Sequence, residues 1–492
     1  MSVQIFLQGK LLGIEEFVLA PAPGLESGGE AVLAGRSQWV SLLSEVLPRA
    51  LLAELGLARI LLGSSGGGGF LLVLPAESLP AAKDFLVSAT NRIHSLSGGH
   101  LQLIWSATEN LGDWTIVRKR LSEQMSHKQG TVREAGRLGL DQPFTDPGAT
   151  PDATKDTEYF SGYLSRGVRN AQSVGWSPED PGKILIGEGK HTWAVGLGMD
   201  AIPMARHAAL DEDGATAAPV ALLASRAQGR PVWGVLRGDV DNFGVRMRRM
   251  NSIEEQVRHS VLFKQLFAGE LEVICSMADF WRKVTILYSG GDDFAVYGSW
   301  DALLLMAKEM QRLFHRFAED DLKELPGPEG KTITMALALA PEPDSPFAFV
   351  YEEAGRNLET AKSTGKDCLH IFGKTIEWKQ LLQAGEIKDI VVRMVRDFGC
   401  SPQLLREMSS FYRDKPPARD AGREQGKSRA DRPWRYHRRL SMIMGPAKDK
   451  DKEFQRLKSA LIADVIGKSP VQVKLRPAGR VAVEWARLLI EA

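Results

Sequence analysis

The chain has 492 residues, 43% hydrophobic and 25% charged, which is ordinary globular usage and room for about three domains. A net charge of +1 excludes a global field drawing it to nucleic acid, and three scattered cysteines (Cys275, Cys368, Cys400) exclude a disulfide framework or a cysteine zinc site. No apolar run is long enough to span a bilayer and no basic segment precedes an apolar core at the N-terminus, so a soluble cytoplasmic protein without membrane contact is expected.

In chain order, the first strong signal is Ile60-Leu-Leu-Gly-Ser-Ser-Gly-Gly-Gly-Gly-Phe-Leu-Leu-Val-Leu74. Apolar β-formers flank a run of glycines, which reads as a β-hairpin because tight turns need positive φ and glycine adopts it without steric cost. A helix-like segment, Leu79 to Ile93, and a strand, Leu101 to Trp105, follow. Residues 139–160 and 211–219 read as loops or connectors, rich in turn-forming residues.

Val232 to Leu236 is a short apolar strand running into Arg237-Gly-Asp239-Val-Asp241-Asn242-Phe-Gly244. Strand side chains alternate with period two, so Asp239 and Asp241 fall on one face. Arg246, Arg248 and Arg249 beyond them read as a solvated helix face. Tyr288-Ser-Gly-Gly-Asp-Asp-Phe-Ala-Val-Tyr297 is a second hairpin, with Ser289, Gly290 and Gly291 leading into the carboxylates Asp292 and Asp293. Carboxylates beside a tight turn suit Mg²⁺ or Mn²⁺, hard cations shared with substrate phosphates. With Asp239 on a neighbouring strand, a pair of such ions is expected to clamp the attacking and leaving oxygens of a phosphoryl displacement. Asp241 reads equally as a ligand or as a cap on its turn.

The two hairpins are copies. Ser65 aligns with Ser289, Gly66 and Gly67 with Gly290 and Gly291, and Phe70 with Phe294, while Gly68 and Gly69 replace Asp292 and Asp293. In the second copy, Leu303, Met306, Met310, Leu313 and Phe317 recur at helical spacing within Asp301 to Phe317. Strand-like Thr332 to Leu339, another helix and Cys368 to Phe372 complete that copy. His315 and His370 read as framework residues. The order β-α-β-β-α-β is the ferredoxin-like split arrangement. The fold class expected is α+β, with two ferredoxin-like palm domains packed together. Residues 1–110 form a degenerate first palm, 111–215 a mainly helical region without a zinc site, 216–375 the second palm and 376–492 a basic helical domain.

Residues 401–460 hold 16 Lys/Arg against 8 Asp/Glu. Within them 413–433 reads as a mobile loop, and Arg432-Pro-Trp-Arg-Tyr-His-Arg-Arg439 has a composition suited to stacking and phosphate contact on RNA.

Several of these stretches together resemble the large subunit of type III CRISPR effector complexes, a palm-domain enzyme that makes cyclic oligoadenylates from ATP. The resemblance rests on Gly-Asp239-Val-Asp-Asn242, Tyr288-Ser-Gly-Gly-Asp-Asp293, Ala361-Lys-Ser-Thr-Gly-Lys366 before Cys368 to Gly373, and Gly13-Ile-Glu-Glu-Phe17 with Gly35-Arg-Ser37 and Ser65 to Gly68. It covers residues 1 to about 375 as an ordered series. It implies a nucleotidyltransferase of ATP with Asp239, Asp292 and Asp293 as catalytic metal ligands. Lys10 takes the place of Asp239 in the first palm, which therefore lacks the acidic cluster. The palms are expected to face one another around two ATP molecules. Ser289, Gly290, Gly291, Asn242, Ser65, Gly66 and Gly67 would contact nucleotide, as would Lys362 and Lys366, which read equally as a basic helix C-terminus. Guide-RNA-bearing subunits and target RNA are the implied partners. The chain has no His-Asp dipeptide, so the HD nuclease of many members, and its single-strand DNase activity, is not expected. A GGDEF-type diguanylate cyclase and a catalytically idle scaffold are the competing readings.

Overall fold

The computed structural model describes residues 3–20, 29–140, 158–198, 200–413, 433–444, 451–465 and 475–491. The anticipated loops at 139–160 and 413–433 lie largely outside these. The first palm is a four-stranded sheet of β1 (Gln4–Leu12), β2 (Leu62–Gly66), β3 (Gly69–Pro75) and β4 (Gln102–Glu109), ordered β2-β3-β1-β4. One face packs on the helices Gly29–Glu54 and Leu79–Leu96, burying Leu7, Trp39, Leu43, Leu72, Leu86 and Ile93. The helix Trp114–Leu140 covers the other face through Trp114, Val117 and Leu121 against Phe6 and Leu71.

The segment between the palms is less helical than its sequence suggests. It carries a three-stranded sheet, β6-β5-β7, of β5 (Ser173–Trp176), β6 (Leu185–Ile186) and β7 (His191–Ala194). Val174, Trp176 and Ile184 pack into the first palm's core, with Phe160 edge-on to Phe17 at 5.5 Å. The strands are too short to show the period-two pattern on which strand assignment relies.

The second palm is a six-stranded sheet. Its strands are β8 (Trp233–Val240), β9 (Val284–Ser289), β10 (Asp293–Ser299), β11 (Ile333–Leu339), β12 (Cys368–Ile371) and β13 (Lys374–Glu377), ordered β13-β12-β11-β8-β10-β9. The helix Trp300–Asp320 buries Leu303, Met306, Met310 and Phe317 against one face, as its spacing predicts. The helix Phe347–Thr364 closes the other face around Trp233, Tyr297 and Tyr351. Helices at 378–396, 403–413, 433–443, 452–465 and 477–490 follow and share one apolar core with this palm.

The duplication extends to fine detail. Each hairpin has a register shift at the same place, around Gly63 in β2 and around Leu287 in β9. Each central strand has a glycine under an aromatic ring. A Cβ on Gly9 would lie 2.2 Å from the Phe70 ring, and one on Gly238 2.3 Å from the Phe294 ring. Glycine is required there by close approach, and the residue after each glycine is the one opposite the hairpin's carboxylate position.

Candidate active site between the palms

β8 and β10 run antiparallel with Asp239 directly opposite Asp293, and Asp292 accepts the amide of Val240 at 2.9 Å through its carbonyl. Asp239 and Asp293 therefore share a face, while Asp292, one residue away, turns to the other side. Two cavities meet at these carboxylates. Asp239 and Asp293 line one of about 650 Å³ with Tyr288, Arg237 and Lys362. Asp292 lines another of about 280 Å³ between the hairpins, with Ser65, Gly66, Gly67, Ser289, Gly290 and Gly291.

The electrostatics mark the cluster as short of positive charge. Burial, then repulsion from Asp293 and Asp239, pushes Asp292 up to about 7. Burial and Asp239 push Asp293 up to about 6, and the Tyr288 hydroxyl donates to it at 3.1 Å. Burial raises Asp239 against the pull of Lys362, whose ammonium stands 3.0 Å away. Burial works against the Lys362 charge, but Asp239 outweighs it and holds its pKa above the usual range. Lys362 thus stands in the last turn of its helix and is also paired with Asp239.

An all-oxygen donor set with raised carboxyl pKa values fits a divalent cation, whose charge would offset the repulsion. Among the described residues no three acidic, histidine or cysteine side chains already converge as a metal cage.

Other expected residues divide. The Asp241 carboxylate is buried and takes hydrogen bonds from Thr332 (2.8 Å), Thr334 (2.7 Å) and the Asp367 amide (2.9 Å), so its acceptors tie β8 to β11. Lys366 donates to Asn242, and neither lines the two cavities that meet at the carboxylates. Arg246 is not solvated: it is buried, donating to the carbonyls of Glu329 and Pro326 at 2.9 Å each. His370 is buried, whereas His315 has a side chain 66% exposed beside Glu319. The Ser289 hydroxyl donates to the carbonyl of Phe267. Gly66, Gly67 and Gly68 have positive φ as anticipated, but Gly290 and Gly291 do not. Gly290 is needed for space, since a Cβ there would lie 2.2 Å from Asp293 Oδ1.

In the first palm, Lys10 pairs opposite Gly69 in the register of Asp239 opposite Asp293, so no carboxylate stands at either position. The hairpin tips abut, with a Cβ on Gly67 falling 3.2 Å from the Gly291 nitrogen. The palms are further joined by Glu15 to Arg237 (3.0 Å), by the Ser37 hydroxyl to the Leu287 carbonyl, and by Arg118 to the carbonyls of Met247 (3.1 Å) and Met250 (2.6 Å). A buried ion network reaches across as well. Lys264 lies 2.7 Å from Glu45 and 2.9 Å from the Ser65 hydroxyl, and Arg49 lies 2.7 Å from Glu45. Burial pushes Glu45 up, and Lys264 and Arg49 more than reverse it.

Sequence reading missed Arg237, Tyr288, Glu45 and Lys264. Arg237 was accessible, because period two puts it on the face of Asp239. Glu45 and Lys264 sit on helices of different palms, and no local pattern links them. In the basic C-terminal run, Arg439 is engaged with Glu407 and lies over the Phe411 ring, while the side chains of Trp434, Arg435 and Tyr436 lie outside the described residues.

Comparison with known proteins converges on the same region. The family model described as Cas10/Cmr2, second palm domain, matches residues 232–370. A CRISPR system single-strand-specific deoxyribonuclease Cas10/Csm1 (subtype III-A) from Mycobacterium tuberculosis is 27% identical over 179 residues, 32% of this chain and 21% of that protein. The protein of the same description from Enterococcus italicus is 29% identical over 171 residues, 33% of this chain and 20% of its own length. The matched segment thus spans about a fifth of these relatives. Among solved structures, the Csm1–Csm4 subcomplex of the type III-A CRISPR-Csm interference complex superposes with a TM-score of 0.66 at 17% identity, covering 99% of this chain and 70% of the other. A Csm1–Csm4 cassette in complex with cA4 gives 0.63 at 17% identity, with 99% and 70% covered. Csm1 of T. onnurineus gives 0.64, at 15% identity, with 100% and 70% covered. Residues 232–370 thus match the second palm domain of Cas10/Cmr2, and the chain as a whole shares the fold of Csm1.

Proposed function

We propose that the chain joins adenylates from ATP into 3′–5′ linked, cyclic oligoadenylates, as the large subunit of a cytoplasmic effector complex that is switched on by target RNA. The observation that carries this reading is the carboxylate group Asp239, Asp292 and Asp293 at the junction of two cavities, with charge to spare for a cation. Similarity to structures of Csm1–Csm4 cassettes with one ATP and with cA4 supports the choice of nucleotide.

In this reading Asp239 and Asp293 from one side, and Asp292 from the other, hold Mg²⁺ or Mn²⁺. The bound ions supply a lowered pKa at the attacking 3′-hydroxyl and charge neutralisation at the departing pyrophosphate. Lys362 orients Asp239 and offers a cation to the triphosphate of the donor nucleotide. Tyr288 fixes the Asp293 carboxylate through its hydroxyl. The glycine tips at 66–67 and 290–291 let backbone approach the nucleotides closely, and the first palm, with Lys10 and Gly69 in place of carboxylates, holds the acceptor without cleaving it. The new bond forms between the acceptor 3′-oxygen and the donor α-phosphorus as the α–β phosphoanhydride breaks.

The test is mass spectrometry of products from the assembled ribonucleoprotein, with guide RNA and matching target RNA, given labelled ATP or GTP. Cyclic oligoadenylate that disappears with Asp292→Ala plus Asp293→Ala is expected. Consumption of GTP alone would establish the diguanylate cyclase reading, and products indifferent to the double substitution would leave a scaffold.

A further inference from the structure

We infer that a separate cavity of about 550 Å³, along the outer edge of β2, binds the phosphate groups of a nucleotide whose base and ribose sit between the palms. The inference rests on the reading of the inter-palm cavity as a nucleotide site. The two cavities share Ser64, Ser65, Ser260 and Lys264 in their walls, so a ligand in one extends naturally into the other.

Three observations point to an anion. First, Arg49, Arg59 and Lys264 contribute to the wall and, among the described residues, no aspartate or glutamate does. Glu45 stands behind Arg49 and Lys264, and Arg59 reaches Asp200, whose side chain is 90% exposed and so screens it weakly. Two guanidinium forks and an ammonium around hydroxyls are the donors that phosphate oxygens accept. Second, the Arg49 Nε is buried and has no hydrogen-bond partner among the described residues. Third, β2 is the last strand of its sheet, so among the described residues no strand pairs with its outer edge, and Leu62, Gly63, Ser64 and Ser65 line this cavity. That openness is not inherent in the fold. The matching edge of β9 in the second palm is covered, with Ile286 donating to the His207 carbonyl at 2.9 Å and Ala209 to the Val284 carbonyl at 3.1 Å.

The arrangement divides the phosphate chemistry of the two palms. The cavity beside Asp239 and Asp293 is also lined by Glu15, Glu16 and Glu359, and repels phosphate unless a cation intervenes. The cavity along β2 needs no metal. It suits phosphates that are retained rather than cleaved, either the 5′-triphosphate of the acceptor or a phosphodiester of the growing chain.

Metal-free binding tests this on the full-length chain. In EDTA, calorimetry with adenosine, ATP and the linear trinucleotide ApApA compares the unaltered chain with Arg59→Ala and Val261→Asp, at two positions that line the outer cavity and not the inter-palm one, each checked for folding by thermal melting. The unaltered chain is expected to bind a phosphate-bearing probe about tenfold tighter than adenosine, and both variants are expected to lose that preference while keeping their adenosine affinity. Loss for ATP alone identifies the triphosphate as the occupant, and loss for ApApA alone the phosphodiester. Equal binding of ATP and ApApA by variants and unaltered chain overturns the subsite but leaves the inter-palm reading standing. No binding of adenosine or ATP by the unaltered chain brings down both.

Discussion

Asp239 and Asp293 face each other across adjacent antiparallel strands, and one ammonium, that of Lys362, stands 3.0 Å from the first of them. With Asp292 close enough to repel both, three carboxylates are answered by Lys362 and, at Asp293, by Arg237, and burial and mutual repulsion still leave Asp292 and Asp293 raised. The protein holds these charges together at a cost in stability, which is the usual mark of a site assembled for something absent from the chain itself.

Divalent-ion affinity should therefore be coupled to protons. Asp292 and Asp293, pushed up to about 7 and about 6, must lose protons to become ligands. Mn²⁺ affinity is expected to fall as pH drops through that window, by about tenfold per pH unit for each proton displaced. Electron paramagnetic resonance of free Mn²⁺ between about pH 5 and pH 8 reads this directly. An affinity flat across the range would show that these carboxylates do not bind the ion.

Stability of the metal-free chain should move the other way. A carboxyl whose folded pKa is raised leaves its cost of ionisation fully present above that value and absent below its ordinary pKa of 3.8. In EDTA near pH 8, Asp292→Asn is expected to stabilise the protein by ~2 kcal/mol, and near pH 4 to make no difference. Denaturant melts at the two pH values separate this from a general effect of the substitution, which would be the same at both.

Much of this architecture is legible in the sequence because it rests on local periodicity. The duplicated hairpins, the helix at 300–320 and the strand ending at Asp239 all carry their own patterns. What sequence leaves open or misreads is what tertiary contacts decide. Asp241 reads equally as a ligand or as a cap on its own turn, and the groups that take its carboxylate, Thr332, Thr334 and the Asp367 amide, lie far along the chain. Arg246 looks solvated because its neighbours are basic, yet two backbone carbonyls draw it inward. Lys366 shares a short motif with Lys362, but a left-handed backbone (φ 58) turns it to Asn242.

The reason for glycine at position 290 gives a substitution aimed at one carboxylate. A Cβ there meets only the Asp293 side-chain oxygen closely, at 2.2 Å, with the next atom, the Asp293 carbonyl oxygen, at 3.3 Å. Gly290→Ala should push the Asp293 carboxylate aside and leave the hairpin folded. Loss of oligoadenylate synthesis comparable to Asp293→Asn, with a melting temperature lowered by less than about 1 kcal/mol equivalent, is the expected result. Full activity would show that Asp293 has no fixed position in the reaction.

Charge counting predicts an asymmetry in the network joining the palms. Glu45 is buried between Arg49 and Lys264, at 2.7 Å from each, so one carboxylate serves two cations. Removing the carboxylate with Glu45→Gln leaves two buried cations without a counter-charge and should cost ~3 kcal/mol or more. Removing one cation with Lys264→Met leaves the Glu45–Arg49 pair balanced and should cost ~1 kcal/mol. Chemical denaturation of the two single variants measures both costs. Equal costs would mean that Lys264, not Arg49, supplies the charge that Glu45 requires, and the first palm would then depend on the second for its own burial of Glu45.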